Sequence, residues 1–77
     1  MHLVVYTTPL CAPCEGLKRI LTTEGLDFEV KDLMVDSEAA ALMDSLGIRT
    51  SPALGIDDRV YAGDDLRPDR LVALLDL

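Results

Sequence analysis

Basic residues are scarce in this chain. Seven Lys and Arg stand against 14 Asp and Glu, a formal net charge of 7 − 14 = −7. Phosphate binding wants a basic patch, so no nucleic acid is expected as a partner. Long apolar runs are also missing: the longest, such as Leu71-Val72-Ala73-Leu74-Leu75, reach only five residues. Met1-His2-Leu3-Val4-Val5-Tyr6 lacks a basic lead-in and is too short for a signal peptide or a membrane span. No membrane association is expected, and the simplest location is cytoplasmic. Length is limited as well. With 77 residues the chain has room for one domain, residues 1–77. Such a domain buries only roughly 60% of its unfolded surface. Cysteine is rare: Cys11 and Cys14 are the only two. One CxxC cannot be a disulfide framework, so its purpose lies in redox or metal chemistry. What the chain does have is 49% hydrophobic residues, which argues for a packed globule and against disorder.

Leu3-Val4-Val5-Tyr6 is β-branched and aromatic and predicts a buried strand, ended by Thr7-Thr8-Pro9. From Pro13 to about Glu24, Leu17, Ile20 and Leu21 recur at helical spacing, and Gly25 follows as a helix stop. Phe28 to Leu33 alternates apolar and charged residues, as a strand with one wet face does. Asp36-Ser37-Glu38 opens a second helix with Ala40, Leu42, Met43 and Leu46 as its apolar positions, stopped by Gly47. A loop over Ile48–Pro52 leads to a strand, Ala53–Ile56. Asp57-Asp58-Arg59 turns the chain into Val60-Tyr61, and Gly63-Asp64-Asp65 makes another turn. Pro68 marks the first position of a final helix carrying Leu71, Leu74 and Leu75. The order is βαβαββα, an α/β chain with a small mixed sheet and helices packed on it.

Cys11-Ala12-Pro13-Cys14 falls directly after the first strand and at the start of the first helix. Unpaired N–H groups and the positive dipole end of a helix stabilise a thiolate, lowering the pKa of the first cysteine from about 8.5. Two intervening residues keep both thiols at one helix end, close enough for a disulfide to form and reopen. Cys11 is then the exposed attacking thiolate and Cys14 the buried resolving thiol. Pro13 stiffens the turn. Metal chemistry stays open as an alternative: a module that carries a soft metal or an iron–sulfur cluster on the same two thiolates, without redox turnover. An intrachain zinc site lacks partners, because His2 lies at the far end of the first strand.

The run Val5-Tyr6-Thr7-Thr8-Pro9-Leu10-Cys11-Ala12-Pro13-Cys14 resembles the opening of a small glutaredoxin-type protein of the thioredoxin-like fold. Thr50-Ser51-Pro52 is similar to that family's Thr-Val-Pro loop, and Ala62-Gly63-Asp64-Asp65-Leu66 to its Gly-Gly-x-Asp turn. The three motifs occur in the family's order. The resemblance implies a four-stranded mixed sheet in the order 2-1-3-4, with strands one and two parallel and three helices around it. It further implies that Cys11 is the nucleophile, Cys14 the resolving thiol and Pro52 a cis-proline. Pro9, Ala12 and Pro13 shape the active-site turn. Thr50, Ser51 and Pro52, with Gly63, Asp64 and Asp65, would bind substrate, the backbone of Ser51 pairing with a peptide or glutathione.

Glutathione-dependent members carry a lysine shortly before the first cysteine, where this chain has Thr8. Arg67-Pro68-Asp69, after Tyr61-Ala62-Gly63, resembles a segment of NrdH-type redoxins, which thioredoxin reductase reduces and which feed electrons to ribonucleotide reductase. The implied function is dithiol reduction of protein disulfides by a monomer. It needs no bound cofactor, and thioredoxin reductase or glutathione supplies the electrons, with the reductase favoured. Residues 22–45 hold seven acids against Lys31, a local balance of 1 − 7 = −6. That surface keeps the chain soluble, or steers it toward a basic patch on a partner.

Overall fold

The apolar run Leu3–Thr7 forms strand β1 in the computed structural model, which describes residues Met1–Leu77. All five β1 residues are buried. Helix α1 (Ala12–Thr23), strand β2 (Glu29–Asp32) and helix α2 (Ser37–Ser45) follow, then strands β3 (Ala53–Ile56) and β4 (Arg59–Ala62). A single 3-10 turn over Gly63–Leu66 leads into helix α3 (Pro68–Leu75). The sheet runs β2-β1-β3-β4, with β1 parallel to β2 and antiparallel to β3, and β3 antiparallel to β4. The fold is thioredoxin-like, as the motifs imply.

Side chains alternate along β1 and so feed two cores. Leu3 and Val5 join Leu17 and Leu21 of α1, Leu54 of β3, and Leu71 and Leu75 of α3. Val4 and Tyr6 point the other way and meet Ala39 and Met43 of α2 and Ala53 of β3. Fully burying a Leu or Val side chain contributes roughly 1.5–3 kcal/mol, so the leucine-rich α1/α3 side is the firmer attachment.

Helix ends follow from local chemistry. Asp36 caps α2, its Oδ1 accepting the Ala39 N–H at 3.0 Å. Both α1 and α2 stop in the same way. Gly25 and Gly47 each take a left-handed φ of 72°, and the residue after each donates back to the helix: Leu26 N–H to Leu21 O at 3.0 Å, Ile48 N–H to Met43 O at 2.9 Å. Only glycine adopts that conformation without a Cβ penalty. At the hairpin, Asp57 and Asp58 alone form the turn and Arg59 already belongs to β4. The Asp57 N–H donates to His2 O at 2.8 Å and its Oδ1 accepts the His2 N–H at 2.9 Å, tying down the start of β1.

Two expectations change. Helix α2 buries Ala39 and Met43, while Leu42 and Leu46 are 39% and 51% exposed. Ala39 and Met43 form an i, i+4 pair just as Leu42 and Leu46 do, and it is the first pair that packs on Val4, Tyr6 and Ala53 of the sheet. Strand β2 is shorter than Phe28–Leu33. Phe28 packs against the α1/α3 core and Leu33 against the α2 core, but Val30 between them is 49% exposed on the edge strand. No helix is long and apolar enough to cross a membrane.

Candidate active site

Strands β1 and β2 end at the same side of the sheet, the side where open α/β sheets bind ligands. There Thr8-Pro9-Leu10 leaves β1 and delivers Cys11 as the N-cap of α1. Cys11 is half-buried and Cys14 fully buried. The two are joined as a disulfide with Cα atoms 5.3 Å apart. The Cys14 N–H donates to Cys11 Sγ at 3.2 Å, so the open end of α1 is aimed at this sulfur, where it favours a thiolate. No third metal-ligating side chain joins the two thiols.

The loop before β3 closes over this sulfur. The Ser51–Pro52 peptide bond is cis. Ser51 Oγ lies 3.7 Å from Cys11 Sγ and 2.9 Å from Thr8 Oγ1, linking residues 43 positions apart in sequence. Two hollows flank the cysteines. One, of about 370 Å³, runs from Thr50, Ser51 and Pro52 past Pro13 to Leu66 and Arg67, and Gly63 also lines it. The other holds Cys11 with Pro9, Leu10, Ala12, Val30 and Asp32. Leu10 is fully exposed with a left-handed φ of 56°, a conformation that costs a non-glycine residue about 1–2 kcal/mol.

Most of the residues expected from sequence therefore gather around the sulfurs: Cys11, Cys14, the turn of Pro9, Ala12 and Pro13, the Thr50-Ser51-Pro52 loop and Gly63. The two acids do not. Asp64 closes the 3-10 turn through its backbone, its carbonyl accepting the Arg67 N–H at 3.2 Å. Asp65 points to the α2 side of the sheet, beside Tyr61 and Ala62, with its carboxylate 3.9 Å from Arg70. The 3-10 turn produces this split, because it rotates successive side chains by about a third of a turn. Sequence reasoning missed the hydroxyl of Thr8, noted there only as a replaced lysine, and the groove walls Ile20 and Leu66. The helical spacing of Ile20 signals core and groove wall equally.

The model of the glutaredoxin family matches residues 3–61, spanning β1 through most of β4 and including both cysteines. The chain belongs to the glutaredoxin family. Within it, the chain has the features of NrdH-type redoxins. It is 31% identical to the glutaredoxin-like protein NrdH of Escherichia coli K12, covering 92% of this chain and 85% of that one. A Mycobacterium phage L5 protein, the product of gene 56, is 35% identical over 94% of this chain and 70% of its own length. Among solved structures, the E. coli NrdH-redoxin superposes with a TM-score of 0.83 at 31% identity, over 96% of this chain and 95% of the other. A buckwheat glutaredoxin in complex with glutathione superposes with a TM-score of 0.71 at 26% identity, over 96% and 76%. For this glutaredoxin-like chain the thiol redox group is the Cys11–Cys14 pair, and membership carries thiol–disulfide oxidoreductase chemistry in general.

Proposed function

We propose that residues 1–77 act as a single monomeric redox domain that reduces protein disulfides in the cytoplasm and draws its electrons from a flavin-dependent thioredoxin reductase. The Cys11 thiolate attacks a client disulfide, forming a Cys11–client bond and releasing one client thiolate. Cys14 then attacks the Cys11 sulfur. The second client thiolate leaves, the Cys14 proton passes to a departing thiolate, and the pair is left as a disulfide. Two electrons have moved from the dithiol to the client, and the donor returns them by the reverse exchange. No resident cofactor takes part. The client lies across the groove beside the cis-proline, pairing with the backbone of Ser51.

One observation carries this reading: a half-exposed Cys11 receives the Cys14 N–H at 3.2 Å while Cys14 is sealed beneath it. The choice of donor is supported by Thr8 in place of a cation, and by an E. coli relative whose structure was described as the basis of a thioredoxin-like activity profile. Reduction of the oxidised chain in parallel by glutathione and by NADPH with thioredoxin reductase tests it. The reductase is expected to be the faster donor, and the Cys11–Cys14 pair to have a reduction potential of roughly −200 to −270 mV. A faster reaction with glutathione reverses the donor; reduction by neither removes the exchange mechanism.

A further inference from the structure

We propose that the Ser51 hydroxyl is a catalytic group for thiolate formation at Cys11, held in place by Thr8. This goes beyond the backbone role that the loop before β3 plays in binding a client. It rests on Cys11 being the attacking thiol.

The proton direction follows from donor counting. A thiolate only accepts, so the 3.7 Å contact between Ser51 Oγ and Cys11 Sγ requires Ser51 to donate once Cys11 is reduced. Ser51 has one hydroxyl proton. In the 2.9 Å bond between the two hydroxyls Thr8 must then be the donor. The chain runs Thr8 O–H to Ser51 O–H to Cys11 S⁻. With the Cys14 N–H at 3.2 Å, the thiolate receives two donors from two separate elements, the first turn of α1 and the loop before β3. Each bond polarises the next, which strengthens the one that reaches sulfur.

The surroundings make hydroxyls the groups that count. Glu15 and Lys18 of α1 share the hollow beside Cys11 with Asp32 of β2, and Glu15 pairs with Lys18. Asp32 Oδ1 accepts the Met34 N–H at 2.8 Å. Behind the hydroxyl pair, a hollow of about 310 Å³ holds Thr8, Ser51, Asp44 and Arg49. Glu15, Asp32 and Asp44 oppose a thiolate whereas Lys18 and Arg49 favour one, so these charges supply no net stabilisation of it. All of these charges persist when Ser51 or Thr8 is replaced, and a difference between variants isolates the hydroxyls.

The test is the pH profile of iodoacetamide alkylation of Cys11 in the reduced chain, with the adduct located by mass spectrometry. Hydrogen bonds to charged groups are the stronger kind, and tenfold in thiolate population corresponds to one pH unit. Ser51→Ala is expected to move the midpoint up by about half to one unit, a three- to tenfold loss of thiolate below it. Ser51→Thr restores the hydroxyl and the midpoint. Thr8→Val moves it less, in the same direction, and adds nothing on top of Ser51→Ala. Loss of the donor also destabilises the thiolate, so above both midpoints Ser51→Ala shifts the equilibrium with glutathione toward the oxidised chain by the same factor. An unchanged midpoint in a natively folded Ser51→Ala overturns the proposal, as does a Thr8→Val effect of equal size in both backgrounds. If Ser51→Ala does not fold, an unchanged midpoint in Thr8→Val alone overturns it. Alkylation needs neither client nor electron donor, so failure here is distinguishable from failure of disulfide reduction.

Discussion

On the face of the sheet covered by α1 and α3, seven buried residues, all Leu or Val, lock the helices to β1 and β3. On the opposite face the buried cluster has five residues, two of them alanines, and α2 turns Leu42 and Leu46 outward. An open groove of about 760 Å³ lies beside α2 on that face. The redox turn grows out of the first turn of α1, so it is mounted on the thick face. Reaction geometry has to be held to within about half an ångström by residues that are themselves locked. The thin face reaches the sulfurs only through the Thr8 and Ser51 hydroxyls, behind which Met43 and Asp44 of α2 line a hollow.

Core truncations test this contrast with the largest effects. Leu21, on α1, is fully buried, and Leu21→Ala is expected to cost about 3–5 kcal/mol, a large share of the roughly 4–12 kcal/mol available to a chain this size. Met43→Ala, on α2, is expected to cost about 2 kcal/mol, because the cluster around it has only five buried residues, two of them alanines. Urea midpoints give both values, and a reversed order breaks the comparison. Gly55→Ala is a finer probe. A Cβ there would stand 3.2 Å from Tyr6 Cε2, on the thin face. The ring borders the open groove and can yield, so the expected loss is about 1 kcal/mol; beyond about 3 kcal/mol that face is tightly packed after all. The smallest effect belongs to Leu46→Ser on α2. At 51% exposure it should stay within about 0.5 kcal/mol of the parent in the same melts.

The contrast also marks where sequence reading succeeds. Element order, the Asp36 cap, the first-turn Pro68 and both glycine stops are local signals, and each stands where its chemistry demands. Strand order and the cis bond at Ser51–Pro52 are not local, and they were legible only because several short motifs together resemble a known family. What escaped the sequence depends on how elements meet. Of the apolar positions read on α2 (Ala40, Leu42, Met43 and Leu46) the sheet buries only Met43, and Ala39 joins it there. Val30 alternates like a core residue, yet an edge position leaves it open. Asp64 and Asp65 sit one residue apart from a groove that the 3-10 turn takes them out of. The meeting of Thr8 with Ser51 required the tertiary fold, since neither residue type carries a signal for the other.

In the proposed exchange Cys11 attacks and Cys14 resolves, and trapping the mixed disulfide separates the two roles. A Cys14→Ser chain, reduced and offered a protein disulfide, is expected to accumulate one mixed disulfide, mapped by peptide mass spectrometry to Cys11. The Cys11→Ser chain should form none and turn over no client. An adduct on Cys14, or retained turnover in Cys11→Ser, contradicts the assignment.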